Sequence, residues 1–170
     1  RPNPAVGCVI VKDQHLIGQG ATAPVGGSHA EVFALHEAGE RAKGATAYVT
    51  LEPCAHYGRT PPCAKGLVEA GISRVVVACL DPNPLVAGKG IQILRDAGIQ
   101  VDVGVCEAQA IAQNQGFLKA IATGRPYVRL KIAASLDGRT AMASGESKWI
   151  TGTEARQDVQ HWRALSGVVI

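Results

Sequence analysis

Residues 47–80, AYVTLEPCAHYGRTPPCAKGLVEAGISRVVVACL, decide the fold. An apolar strand is expected at 47–51, an irregular loop at 52–62, a short helix at 63–70 and a second apolar strand at 74–80. A strand, a helix and a strand in this order form a βαβ unit. Such units build sheets of parallel strands that helices cover, so the stretch predicts an α/β fold.

The same alternation continues on both sides of this unit. We expect further elements as follows: strands at 5–11, 16–21 and 100–105, and helices at 29–43, 89–97 and 107–123. The first two strands are joined by Lys12-Asp13-Gln14, which is too short for a crossover connection, so this pair is antiparallel. The sheet is therefore predicted to be mixed.

Composition indicates how the helices pack on the sheet. Aromatic residues make up only 4% of the chain, so packing depends on Ala, Val, Ile and Leu, which favours small-residue helices that lie close to the sheet. In the helix at 29–43 we place Val32, Leu35 and His36 on one face and Glu37, Glu40 and Arg41 largely opposite.

Composition and charge also exclude several classes of protein. Of the 170 residues, 46% are hydrophobic, which excludes a disordered chain, and no apolar run approaches the roughly 18 residues of a membrane span. The net charge of +3 is too weak for a nucleic-acid partner. Five cysteines at irregular spacing do not form a secreted disulfide framework, so we expect a cytoplasmic protein.

A domain boundary is predicted at Thr123-Gly124-Arg125-Pro126, giving domains 1–123 and 124–170. In the second we expect a strand at 127–133, a helix at 153–165 and a strand beginning at 168–170. Its 47 residues are too few for a second core. They are either a tail docked on the first domain or the opening of a domain that this chain does not complete.

A candidate metal site is formed by His29-Ala30-Glu31 at a helix start, Pro53-Cys54 after a strand and Cys63 at the next helix start. One histidine and two cysteines suit zinc, and three protein ligands leave a fourth position for water. A carboxylate that is not a ligand can move the proton of that water. H-x-E followed by P-C and a second cysteine is the signature of zinc-dependent nucleoside and nucleobase deaminases.

Other interpretations of these residues are open at this point. Ser28 and Glu31 also fit a capping box at a helix start, and Cys54 and Cys63 could form a disulfide. The remaining cysteines lie in or beside apolar strands and are expected to be small buried thiols: Cys8, Cys79 and Cys106.

Four motifs together resemble the bifunctional RibD family of riboflavin biosynthesis, which joins a zinc deaminase to a reductase. They are PNPAVG at 2–7, HAE at 29–31, PCAHYGRTPPC at 53–63 and DPNP at 81–84. Eight residues separate the two cysteines, where other deaminases have two, and this long spacer is typical of the family. KIAASLDGRTA at 131–141 and GESKWITG at 145–152 resemble the opening of the reductase domain.

The resemblance implies a three-layer α/β/α cytidine-deaminase-like domain with a mixed sheet. It further implies hydrolysis of the 2-amino group of 2,5-diamino-6-ribosylamino-4(3H)-pyrimidinone 5′-phosphate, giving 5-amino-6-(5-phosphoribosylamino)uracil and ammonia. His29, Cys54 and Cys63 would hold one zinc ion and Glu31 would move protons. For substrate binding, the resemblance implies Asn3, His56 and Arg59.

For residues 124–170 the resemblance implies the opening of a dihydrofolate-reductase-like α/β domain, which uses NADPH to convert ribosyl to ribityl. Lys131, Ala133 and Asp137 would lie in its first strand and turn. Ser147 and Arg163 match substrate-contacting positions, and Ala133 and Trp149 match NADPH-contacting positions. Because members of the family extend beyond both ends of this sequence, we expect reductase activity only from a longer chain.

Two other functions remain open at this stage: a zinc deaminase of another nucleoside or nucleobase, and a non-catalytic zinc-binding α/β module. Balanced charge over residues 1–123 argues against a large polyanion as substrate. A purely structural zinc site would more naturally have four ligands. The expected partner is a small phosphorylated pyrimidine, with no nucleic acid and no membrane. We also expect a homo-oligomer, although the sequence does not define its order.

Overall fold

The structure, a computed structural model, describes residues 3–57, 61–84 and 86–170. The chain divides into two compact units, Arg1–Tyr127 and Val128–Ile170. In the described parts of the chain, no helix is both long enough and apolar enough to cross a membrane.

The first unit contains a five-stranded mixed sheet, as predicted. The strands are β1 (Gly7–Lys12), β2 (His15–Ala21), β3 (Thr46–Val49), β4 (Arg74–Val77) and β5 (Gln100–Val103). Their order in the sheet is β2-β1-β3-β4-β5, with β1 antiparallel to both of its neighbours and the last three strands parallel. Asp13 and Gln14 join β1 to β2 with φ values of 50° and 63°, the left-handed conformation that a two-residue hairpin requires.

Helices pack against this sheet, which confirms the predicted α/β class. The helices of the first unit are α1 (Ala30–Ala38), α2 (Cys63–Glu69), α3 (Lys89–Asp96), α4 (Glu107–Gln113) and α5 (Gln115–Thr123). A single 3₁₀ turn, Gly39–Ala42, continues α1. The main core lies between the sheet and α1 to α3 and includes Ile10, Val75, Leu67 and Leu94. A smaller apolar cluster joins Leu51, beyond the end of β3, to α4 and α5.

Helix α1 lies against β2 through residues with almost no side chain. Its buried apolar residues are Ala30, Ala34 and Ala38, spaced four apart on one face. Opposite them stand Gly18 and Gly20, where a Cβ atom would overlap the backbone oxygens of α1. The expected close packing of a small-residue helix is therefore confirmed.

The residues of α1 that face the sheet differ from the face proposed from the sequence. Val32 is 39% exposed, His36 is exposed and Leu35 is half-buried. The larger apolar residues are excluded from the contact because the helix backbone lies too near β2 to leave space for more than a methyl group. The alanine face is buried instead.

The helix expected at 107–123 is interrupted at Asn114, where φ is −116° and ψ is 20°. The Asn114 side chain is buried and pairs with the backbone of Ala5 at two points. Its Oδ1 accepts a hydrogen bond from the Ala5 N–H at 2.8 Å, and its Nδ2 donates to the Ala5 carbonyl at 2.9 Å. This side chain therefore fixes the segment that precedes β1 and breaks the helix in doing so.

The second unit contains α6 (Thr153–Leu165), as predicted, but the strand expected at 127–133 is not formed. Nor does a strand begin at 168–170. A strand needs a partner for its backbone groups. In the described residues of this unit no other strand is available to pair, and Val128, Leu130 and Ile132 are all exposed.

We expect Gly20→Ala to lower the free energy of unfolding by about 1–3 kcal/mol, the usual effect of overpacking a tight contact. The added methyl group would meet the Ala30 carbonyl oxygen, which is backbone and cannot rotate away. Gly7→Ala is the matched control on β1, since its Cβ would lie 3.8 Å from the Thr50 Cγ2 atom, an ordinary contact. Urea unfolding of both variants gives the comparison, and equal stabilities would contradict the close approach.

Candidate metal centre

Two helix starts and one strand end supply the residues of the candidate site. His29 is the residue that precedes α1, and Glu31 is the second residue of that helix. Cys54 lies in the loop after β3, and Cys63 is the first residue of α2. Because both helices pack on the same face of the sheet, their first residues converge beside the end of β3.

The structure brings His29, Cys54 and Cys63 together. One nitrogen and two sulfur atoms from these residues all lie within 4.8 Å of one another. His29 Nδ1 is 3.2 Å from the Cys63 Sγ and 3.6 Å from the Cys54 Sγ. Among the residues that the structure describes, this is the one group of three or more metal-binding side chains so close together.

These donors fit zinc in kind and in spacing. Zinc prefers imidazole and thiolate ligands, and tetrahedral geometry with ordinary bond lengths places nitrogen and sulfur ligands about 3.5 Å apart. Both nitrogen-to-sulfur distances are close to that value. Three ligands rather than four are typical of catalytic zinc, where one position stays open.

A hydrogen bond between Cys54 and Cys63 shifts the pKa values of the two thiols in opposite directions. The Cys63 side chain hydrogen-bonds to Cys54 and, with the nearby His29, lowers the pKa of the Cys54 thiol to about 4. The backbone N–H of Cys63 also donates to the Cys54 Sγ at 3.2 Å. The same hydrogen bond raises the pKa of the Cys63 thiol. Hydrogen bonding to Cys54 raises the pKa of His29, so the cluster favours a thiolate beside an imidazolium.

Glu31 is the buried carboxylate beside these donors, with only 3% of its surface exposed. Burial raises its pKa above that of an ordinary glutamate, and a hydrogen bond from Cys63 partly opposes this effect. The capping-box alternative is not observed, because His29 occupies the cap position and no side chain caps this helix start. The Glu31 carboxylate hydrogen-bonds to its own backbone N–H and to Cys63, so it lies beside the cluster.

The other cysteines are free thiols in the structure, as are Cys54 and Cys63, so the disulfide alternative is not observed. Cys8 and Cys79 are buried, as expected. Cys106 is exposed, contrary to expectation. It lies just beyond β5, at the cap position of α4 with φ of 58°, where the chain turns outward and leaves the sheet.

The residues expected to contact the substrate are placed as follows. Asn3 is half-buried, and it lies two residues before Ala5, the residue that Asn114 holds. His56 is exposed, and its charge interacts with the carboxyl group of Asp81. Arg59 lies outside the described residues.

In the second unit, Ser147 and Trp149 line one pocket of about 290 Å³. Ala133 and Arg163 are not among the residues that line it. Ala133 is half-buried and Arg163 is exposed on α6, as are Lys131 and Asp137 in the preceding segment. The structure thus brings two of the four proposed reductase contacts together.

Three buried polar residues received no role in the sequence analysis: Glu52, Asp81 and Asn114. Burial raises the pKa of Asp81, and the nearby charges of Glu52 and Cys54 act in the same direction. A charged residue between a buried strand and a proposed ligand, as in LEPC at 51–54, is the signal that could have identified Glu52.

Comparisons with known proteins agree with this architecture. Residues 1–79 match the cytidine and deoxycytidylate deaminase zinc-binding region, and residues 126–170 match the RibD C-terminal domain. RibD of Haemophilus influenzae is 62% identical over 99% of this chain and 45% of its own length.

Two solved structures give the same picture. Acinetobacter baumannii RibD, form 2, has 71% identity and a TM-score of 0.90, covering 99% of this chain and 47% of its own. A Thermotoga maritima diaminohydroxyphosphoribosylaminopyrimidine deaminase/5-amino-6-(5-phosphoribosylamino)uracil reductase has 43% identity and a TM-score of 0.89, covering 96% of this chain and 47% of its own. The chain thus spans about half the length of the relatives it matches.

We expect Cys54→Ala and Cys63→Ala each to lose bound zinc, because each removes one of three ligands. Cys8→Ala, Cys79→Ala and Cys106→Ala should retain it, and Cys79→Ala is the closest control because Cys79 is equally buried in the same unit. Metal analysis by mass spectrometry of the purified variants measures the zinc content. Loss of zinc in Cys79→Ala together with retention in Cys63→Ala would show that the ligand set is wrong.

Proposed function

Because the chain belongs to the RibD family of riboflavin-biosynthesis proteins, we propose that residues 1–123 form a zinc-dependent deaminase domain and residues 124–170 begin a reductase domain. The proposed reaction is hydrolysis of 2,5-diamino-6-ribosylamino-4(3H)-pyrimidinone 5′-phosphate to 5-amino-6-(5-phosphoribosylamino)uracil and ammonia. The reaction consumes one water molecule. The water oxygen becomes the carbonyl oxygen at position 2 of the pyrimidine, and the amino group takes up a proton and leaves as ammonia.

One observation carries this proposal. His29 Nδ1 and two cysteine sulfur atoms lie within 4.8 Å of one another, and the buried carboxylate of Glu31 lies beside them without belonging to the donor set. A hydrolytic deaminase needs these two components: a site for zinc with an open position, and a separate proton carrier.

His29, Cys54 and Cys63 would hold the zinc ion in this mechanism. When bound, zinc supplies the Lewis acidity that lets a water molecule lose a proton near neutral pH. Glu31 accepts that proton and later donates it to the leaving amino group. Its raised pKa suits both steps, because a group that must accept and release a proton works best when its pKa approaches the working pH.

Substrate recognition is assigned to three residues on the basis of the family resemblance. Asn3 would hydrogen-bond the pyrimidine or ribose, and the double hydrogen bond between Asn114 and Ala5 supports this role by fixing the segment nearby. His56 and Arg59 would face the substrate and its phosphate, since guanidinium groups bind phosphate through paired hydrogen bonds.

One assay distinguishes the proposed function from its two alternatives, a deaminase of another nucleoside or nucleobase and a non-catalytic zinc-binding module. Ammonia release is measured with the phosphorylated diaminopyrimidinone and, in parallel, with cytidine. Release from the first substrate alone supports the proposal, whereas release from cytidine indicates a deaminase of another nucleoside. Zinc-loaded protein that releases ammonia from neither would indicate a non-catalytic zinc module.

The second activity, reduction of ribosyl to ribityl with NADPH, is proposed for a longer protein that contains this chain. The match of residues 126–170 to the RibD C-terminal domain supports it. Ser147 and Arg163 are proposed to contact that substrate, and Ala133 and Trp149 to contact NADPH. The pocket that Ser147 and Trp149 share in the second unit is consistent with this assignment.

We further propose a reducing cytoplasm as the compartment, because the two thiols must stay reduced to bind zinc. The partner is a small phosphorylated pyrimidine. We also propose a homo-oligomer, which light scattering coupled to size-exclusion chromatography tests.

Glu31→Gln is expected to retain zinc but to lower the deamination rate by at least ~10²–10⁴-fold, the usual contribution of general acid–base transfer. The amide fills the same buried space but cannot accept or release the proton. Zinc content and steady-state ammonia release are measured together, with Glu40→Gln, an exposed residue of the 3₁₀ turn, as the control. Ammonia release near the parent rate would exclude Glu31 as the proton carrier.

Arg59→Ala is expected to raise KM and leave kcat nearly unchanged, because a phosphate remote from the reacting carbon is held equally in the ground and transition states. Loss of a charge-assisted hydrogen bond costs about 1.5–3 kcal/mol, or about 10–150-fold in kcat/KM.

A double cycle in kcat/KM tests this contact directly, with Arg59→Ala as one change and removal of the substrate phosphate as the other. If the two groups interact, the dephosphorylated substrate loses little further rate in the variant. Simple additivity of the two losses would show that Arg59 does not bind the phosphate.

A further inference from the structure

Glu52 is a buried carboxylate with only 4% of its surface exposed, and both of its oxygens accept hydrogen bonds from backbone amides. Oε2 accepts from the N–H of Gly88 at 3.0 Å and, at 3.3 Å, from that of Asp81. Oε1 accepts from the N–H of Gly90 at 3.0 Å and, at 3.4 Å, from that of Ile91. These donors lie 29 to 39 residues away along the chain. The Glu52 side chain therefore joins its own loop, the first segment, to a second segment that begins at Asp81 and leads into α3.

The first of these segments contains a proposed zinc ligand. Glu52 is followed directly by Pro53 and Cys54, and a Cβ atom at Gly90 would overlap the Pro53 carbonyl oxygen, so the start of α3 lies directly against this loop. On the other side, the N–H of Ala64 at the start of α2 donates to the Cys54 carbonyl at 3.2 Å. Cys54 is therefore held between the first turns of two helices.

The second segment lies near the same site. Its described residues are 81–84 and 86–88, and burial raises the pKa of its Asp81 carboxyl, which Cys54 and His56 also affect. Asp81 Oδ1 accepts the N–H of Asn83 at 2.8 Å, which makes a tight turn next to the Glu52 contacts. Any movement of the Glu52 carboxylate would displace this segment and the Cys54 loop relative to each other.

Only a glutamate supplies this set of contacts. Four N–H donors need two acceptor oxygens, and a charged acceptor makes stronger hydrogen bonds than a neutral one. Glutamine has one acceptor oxygen, and its amide NH₂ would face the N–H of Gly88 or Gly90, donor against donor. Aspartate is shorter by one methylene. A buried charge is tolerated here because the amides satisfy it.

We propose that Glu52 is a positioning residue, which sets the place of the proposed zinc ligand Cys54 and of residues 81–84 and 86–88 together. The inference rests on the proposed zinc-deaminase function of this site. It assigns Glu52 no contact with substrate and no proton transfer. Its effect is transmitted through the backbone on both sides of its carboxylate.

Glu52→Gln is the primary test, carried out on the zinc-loaded protein. We expect the zinc dissociation constant to rise about 10–100-fold, the usual effect of losing a group that supports a ligand. KM for the phosphorylated diaminopyrimidinone should rise as well. In the zinc-free protein, the amides of Gly88 and Gly90 should lose protection from hydrogen exchange, a readout independent of both metal and activity.

Gly90→Ala perturbs the same arrangement from the opposite side, because its methyl group would press on the Pro53 carbonyl. It should reproduce the loss of zinc affinity with Glu52 intact. Gly66→Ala in α2 is its matched control, since that Cβ would lie 3.7 Å from the Leu35 Cδ1 atom, an ordinary contact. Leu94→Ala removes a buried side chain of α3 and controls for loss of stability alone.

The outcomes separate this inference from the proposed function. Weaker zinc binding and raised KM in Glu52→Gln and Gly90→Ala, but not in Leu94→Ala at comparable stability, support positioning. Zinc affinity and KM equal to those of the parent in Glu52→Gln, while the parent releases ammonia, would overturn it. If the parent releases no ammonia, the zinc dissociation constant and amide exchange still decide the role of Glu52, and only the proposed reaction fails.

Discussion

The contact between α1 and β2 is the constraint on which the site depends. Because Gly18 and Gly20 present no side chains to Ala30 and Ala34, the helix backbone lies directly on the strand. This contact fixes the distance between α1 and the sheet and the rotation of α1 about its own axis. His29 and Glu31 lie at its first turn, so their positions follow from that contact and not from any hydrogen bond that caps the helix. Buried alanines thus determine where an imidazole and a carboxylate stand.

A consequence is that the site has little freedom to adjust. The Cys54 Sγ accepts a hydrogen bond from the N–H of Cys63, and the Cys54 carbonyl oxygen accepts one from the N–H of Ala64. The start of α2 therefore holds Cys54 at two points. These backbone contacts therefore help to set nitrogen-to-sulfur distances that are close to those of a tetrahedral zinc site.

The sequence predicted the α/β class, the mixed sheet and the grouping of His29, Cys54 and Cys63, because each of these depends on local pattern or motif. It did not predict the features that depend on contacts distant in sequence. The large apolar side chains of α1 suggested the wrong face for contact with the sheet. The sequence of the helix does not show that the glycines of β2 lie opposite its alanines. The break at Asn114 requires knowing that Ala5, 109 residues away, presents its backbone there. The strand expected at 127–133 has a suitable sequence but lacks a pairing strand among the described residues of its unit.

Two buried glutamates near the same cluster show how surroundings decide what a side chain can do. Both oxygens of Glu52 are occupied by backbone amides, which cannot exchange a proton with a substrate, so this group serves only to hold loops in place. Glu31 is equally buried, but its carboxylate hydrogen-bonds to the Cys63 side chain. Burial raises its pKa, and the hydrogen bonds from its own backbone N–H and from Cys63 oppose that effect only in part. The same residue type therefore has two proposed roles, a positioning residue at 52 and a proton carrier at 31, and the difference lies in which groups the fold brings to each carboxylate.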